Sequence, residues 1–280
     1  MLKQFPRTTV GGVSLPRLII GSNWITGYSH TSFAADMDIR ETNDTPEKVA
    51  QIYKAFTDYG IDAVLGGAGG ASRDAMRYLE DTTGRKIIMI DTPILNMDDT
   101  REGRAESEAM IKNCAKNGVK FCFPHHMAAE QLVNKNKRTM DRLPDYLYMI
   151  RENGMIPGLS AHMPELILYS DENGYDVETY IQIFNCVGFL MQIEIESVIQ
   201  IIHNAKKPVM TIKPMAAGRV SPYVGLTFNW NVLRPQDMIT VGCKTFYEAY
   251  EDVEISFAAL EKRLPDLEGR SSPHKSDIIK

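Results

Sequence analysis

Short apolar runs alternate with stretches of helical periodicity from one end of the chain to the other. "LPRLIIGSNWI" (15–25) is apolar and ends on small polar residues, and "TPEKVAQIYKAFTDYG" (45–60) follows as a helix. In that helix Thr45 is placed to cap, Pro46 to start and Gly60 to stop, while Val49, Ile52, Tyr53 and Phe56 recur at helical spacing. Strand-like runs return at 61–67, 86–94, 119–128, 155–162, 177–185, 207–218 and 238–243. Helical patterns lie at 72–84, 100–118, 139–154, 193–206 and about 246–264. The stretch 221–235 is a weak helix by pattern and is expected to be an irregular excursion.

Strands that are apolar on both faces and joined by helical crossovers imply a parallel sheet. Eight of them in 280 residues predict an α/β fold, a single (β/α)8 TIM barrel over 1–264, more than an open doubly wound sheet. No linker divides the chain, and the polar end, 265–280, is expected to be a disordered tail.

Composition narrows the function classes. A net charge of −5 argues against a nucleic-acid surface, and no apolar run is long enough to suggest a membrane span. The four cysteines form no CxxC pair, which removes the common zinc and iron–sulfur spacings and gives no disulfide framework. Reduced thiols and the lack of an apolar leader give a cytoplasmic expectation, with a small molecule as the partner and a homo-oligomer left open.

In such barrels chemistry gathers where the strands end and the following loops converge. Those ends carry Asn23, Asp91, His125 with His126, Ser160 with His162, Asn185 and Lys213, with Arg219 in the loop after strand seven. Three of the six histidines fall on this rim. Parity favours His125, which shares a face with Phe121 and Phe123, over His126. Asp91, His125 and His162 belong to three consecutive strands and form a candidate divalent-metal set, against the plainer reading of solvated strand ends. Lys213, expected to share the inner face with Thr211, suits an anionic substrate group or a Schiff base, against a snorkelling side chain. Asn23, Ser160, Asn185 and Arg219 are candidate substrate-binding residues, and the glycine-rich "GGAGGAS" is a weak anion-loop signal.

The order of motifs resembles that of the aldo/keto reductase superfamily over nearly the whole length. "YGIDAV", "FCFPHH", "PGLSAH", "YIQIFN", "IKPMAAGRV" and "ITVGCKTFYEAYEDV" look like its second, fourth, fifth, sixth, seventh and eighth strands with their loops. The resemblance implies a reductase barrel holding NAD(P)H, with Asp62, His125 and Ser160 at matching positions. It also shows departures. The family's proton-donating tyrosine has no counterpart in "VLGGAGG", and its third-strand lysine is replaced by Asp91–Thr92. Ala161 stands where the nicotinamide-binding Asn belongs, and Gln182 is one place out of step. The departures lead to the expectation of an isomerase, epimerase or lyase working on a polar carbonyl or sugar-like compound. Asp91, His125, His162 and Lys213 would be catalytic, with or without a metal. The alternatives are a divergent reductase using His125 as its acid, and a non-catalytic binding or subunit barrel.

Overall fold

The computed structural model describes residues 2–66 and 69–267, so most of the expected polar tail and two residues of the glycine-rich loop lie outside the described residues. The architecture is the expected barrel. An N-terminal hairpin, β1 (Arg7–Val10) and β2 (Val13–Pro16), precedes the parallel strands β3 (Leu18–Gly21), β4 (Ala63–Leu65), β5 (Ile88–Asp91) and β6 (Phe121–Cys122). A second small hairpin, β7 (Val133–Asn134) and β8 (Thr139–Met140), lies outside the barrel. Then come β9 (Ile156–Pro157), β10 (Leu159–Ser160), β11 (Tyr180–Ile183), β12 (Val209–Ile212) and β13 (Met238–Val241).

β9 pairs with β6 and β10 with β11, so these two short segments are halves of one barrel strand and the sheet closes through them. The break is at Gly158, where an added Cβ would run into the Phe123 ring. An aromatic side chain inside the barrel therefore demands glycine on the facing strand.

Alternation divides the core in two, as period-two side chains on a closed sheet require. Ile19, Ala63, Ile90, Phe121, Phe123 and Met238 fill the interior, and Val10 and Leu15 of the first hairpin close its lower end. The opposite faces pack against the helices. These are α1 (Asn23–Thr26), α2 (Phe33–Thr42), α3 (Pro46–Thr57), α4 (Gly70–Thr83), α5 (Arg101–Lys116) and α6 (His126–Ala129). α7 (Leu143–Glu152), α8 (Glu165–Asn173), α9 (Ile195–Asn204), α10 (Pro222–Val232) and α11 (Phe246–Glu261) complete the outer layer.

The caps read from sequence are present: the Thr45 side chain accepts from Lys48 N–H, and Pro46 occupies the first turn. Thr245 and Glu248 form a capping box at the start of α11. One expectation fails. The supposed excursion at 221–235 contains the regular helix α10, and the Ser221–Pro222 start signal outweighs its poor periodicity.

Candidate active site

A cavity of about 440 Å³ opens at the C-terminal ends of the strands. Its imidazole side is built from the ends of β6 and β10. Phe121, Phe123 and His125 share the inward face, so His125 lines the cavity as parity requires, and His126 lines it too as the first residue of α6. His126 is sandwiched. Its ring lies 3.6 Å from that of His162 at 19°, and 4.2 Å from that of His125.

His125 Nδ1 accepts the Met127 N–H at 3.3 Å, which leaves the proton of the neutral ring on Nε2. Burial, together with His126 and Lys213, pushes the His125 pKa down to about 4, against a smaller pull from Glu130. Burial and the same two neighbours push His162 to about 3. Both rings are neutral at pH 7. Glu130, at the end of α6, accepts the N–H groups of His162 at 2.7 Å and Met163 at 3.0 Å and so fixes the loop that carries His162. Burial raises the pKa of this carboxylate, but the hydrogen bonds to it outweigh burial and hold it below the usual range.

Lys213 reaches the same cavity by a route that differs from the expected one. Met210 and Ile212 occupy the inner face of β12, so alternation sends Thr211 outward, where its hydroxyl donates to Met238 O at 3.1 Å. Lys213 turns into the mouth because its backbone leaves the strand at φ +60°. Burial lowers its pKa. Its Nζ lies 3.4 Å from His30 Nε2, which also receives Asn23 Nδ2 at 3.1 Å. Two donors converge on that nitrogen, so the His30 proton sits on Nδ1. Asn23 and Ser160 line the cavity as expected, with Thr92, Trp24 and Thr240 beside them.

Other expected site residues are elsewhere. Asp91 shares the outward face of β5 with Met89, where Cys114 Sγ donates to its carboxylate at 3.7 Å, and burial raises its pKa. It does not line the cavity, and no group of three metal-ligating side chains forms among the described residues, so the Asp91–His125–His162 metal set is not assembled. The inward residue of that strand end is Thr92, as the parity of Ile88 and Ile90 implies. Asn185 is spent on its own loop: Oδ1 accepts Val187 and Phe189 N–H, and Nδ2 donates to Phe189 O. Arg219 lies over the Phe189 ring, 4.1 Å from its centroid, and donates to Ala216 O. It braces two rim loops against each other. Asp62, at a matching position in the resemblance, precedes β4 at the far end of the barrel, paired with Arg7 at 2.9 Å and away from the cavity.

A search limited to strand ends misses His30, Trp24 and Glu130, which lie in the loops and short helices beyond them. It also misses Glu248, Glu251 and Asp252, which line the part of the cavity under α11. A signal for Asp252 did exist: it sits on the buried face of α11 with Ala249 and Ser256, where a carboxylate is out of place.

No family model matches the chain, and no match is found among the curated proteins. Solved structures do match. A protein assigned as an aldo-keto reductase from Pseudomonas aeruginosa superposes with a TM-score of 0.67 at 14% identity, over 93% of this chain and 98% of that one. A silkworm aldo-keto reductase in complex with NADPH gives 0.56 at 11%, over 96% and 91%. The BexX/CysO complex of Amycolatopsis orientalis gives 0.54 at 13%, over 95% and 100%. At these identities the likeness is one of fold, and the fold is an aldo-keto reductase-like TIM barrel.

Proposed function

We propose that this barrel is a small-molecule enzyme of the aldo-keto reductase type, binding a polar carbonyl compound in its mouth and stabilising the negative charge that develops on the carbonyl oxygen. The observation that carries this is the convergence of a neutral, Nε2-protonated His125 and the half-buried Lys213 on one cavity. The imidazole donates a hydrogen bond to the oxygen and the ammonium neutralises it. In a partly dry site such donors act strongly, each typically worth about 10²–10³ in rate. Lys213, its pKa lowered by burial, can share a proton with that oxygen as charge develops on it, with His30 Nε2 accepting another of its N–H groups.

Among reactions that build such an oxyanion, carbonyl reduction has the better support. Two of the three structural relatives are named as reductases, and the base assigned for an isomerase or lyase, Asp91, faces away. Reduction requires a hydride donor, and NADPH occupies the silkworm relative. The residues here do not fit that dinucleotide. Lys213 is the one lysine or arginine among the described residues lining the cavity, and the part under α11 presents Glu248, Glu251 and Asp252 where phosphates would need cations.

The test is calorimetric titration with small keto acids and carboxylates on wild type, His125→Ala and Lys213→Met. Binding that falls about tenfold or more in both variants is expected, a loss of about 1.4 kcal/mol or more. Unchanged binding in both would overturn the reading. Carbonyl-dependent loss of NADH or NADPH absorbance would establish the reductase and refute the cofactor misfit.

A further inference from the structure

The cavity has two chemically opposite ends. At the barrel axis lie Lys213 and the histidines. Past Gly242, where Trp24 packs so closely that a Cβ would sit 3.3 Å from it, the space continues beneath α11. There Cys243 has already turned to the outer layer, and the lining becomes Glu248, Glu251 and Asp252.

These acids differ in their engagement. Glu248 is occupied: its carboxylate accepts the N–H groups of Lys244 at 2.6 Å and Thr245 at 3.1 Å. Glu251 is exposed on the same helix. Asp252 is only 2% exposed, lines the cavity and has no hydrogen bond or ion pair among the described residues. A buried carboxyl without a partner is costly unless something else fills its valences. Burial, with Glu248 and Glu251 close by, raises its pKa well above the ordinary value. The carboxyl faces the cavity without a partner, and the local charge dictates the sign of what it can take.

We propose that Asp252 and Glu251 bind the ammonium group of the substrate, so that this enzyme acts on an amino-carbonyl compound whose oxygen end meets Lys213 and His125. This rests on the carbonyl reading of the mouth for the oxygen end only. A cation entering the lobe would ionise Asp252 and pair with it. The same charges turn phosphate away, which accounts for the poor fit of a dinucleotide in a barrel of this fold.

The experiment is calorimetry with n-butylammonium against n-butanol, and with γ-aminobutyrate against butyrate. It is run on wild type, Asp252→Asn, Glu251→Gln and Lys213→Met, each checked for an intact melt. In wild type, butylammonium should bind at least about tenfold tighter than butanol, and γ-aminobutyrate tighter than butyrate by a similar factor. Both preferences should shrink to within about threefold in Asp252→Asn and in Glu251→Gln, the exposed position guarding against a folding artefact. Lys213→Met should weaken butyrate but not butylammonium. No preference for the ammonium probes in wild type, or a preference that survives both acid substitutions, would overturn the proposal. So would tight binding of inorganic phosphate that the acid substitutions strengthen no further. The butylammonium arm decides the lobe whatever happens at the mouth, and the butyrate arm with Lys213→Met decides the mouth separately.

Discussion

Acid should destabilise this protein through its site histidines before its ion-paired carboxylates titrate. The folded state holds His125 at a pKa of about 4 and His162 at about 3, against an ordinary value of 6.5. When pH falls from about 6.5 to 5, each ring of the unfolded chain goes from about half a proton to nearly a full one, while the folded chain takes up almost none. Stability therefore rises with pH across this window, and the loss is complete only as pH passes below the folded values. A full proton is worth about 1.4 kcal/mol per pH unit, so each ring would cost about 1.6 kcal/mol by pH 5. Both rings keep some contact with solvent, which reduces the figure to about 1 kcal/mol each. The pair then contributes about 2 kcal/mol, or about 4–8 °C in Tm for a chain of this size. The assay is calorimetric melting across that window for wild type and for His125→Gln/His162→Gln. The wild type should lose those degrees and the double variant clearly fewer; His30, whose pKa burial and Lys213 also lower, accounts for part of what remains. Equal losses in the two proteins would refute the argument.

Three further outcomes follow from the packing and the hydrogen bonds. Glu130→Ala strands the N–H groups of His162 and Met163, and should cost about 1–3 kcal/mol in urea unfolding and weaken carboxylate binding, whereas Glu130→Gln keeps an acceptor and should lose less. Gly158→Ala pushes a methyl against Phe123 inside the barrel and should destabilise by about 1–3 kcal/mol by the same measurement. Asp62→Asn breaks a pair whose side chains are 33% and 35% exposed, at the end remote from the cavity; it should cost about 0–1 kcal/mol and leave calorimetric ligand binding unchanged.

Strand and helix order, the closed barrel and the rim as the place to look were legible in the chain, because period-two and period-3.6 patterns are local properties and eight helix-linked strands apolar on both faces in this length favour a closed sheet. His125 was legible for the same reason, since Phe121 and Phe123 define the face it shares. Parity also held the answer at the third strand, where Ile88 and Ile90 point to Thr92 and away from Asp91. Lys213 enters the mouth through a left-handed backbone turn that no alternation rule contains. Only the tertiary structure decided which polar residues share a cavity: His30 arrives from the short link between α1 and α2, and Asp252 from a helix face that sequence alone assigns to the core. Distances between elements far apart in sequence, and the burial that sets each group's charge, come into being when the sheet closes, and the chemistry of the mouth is made of those.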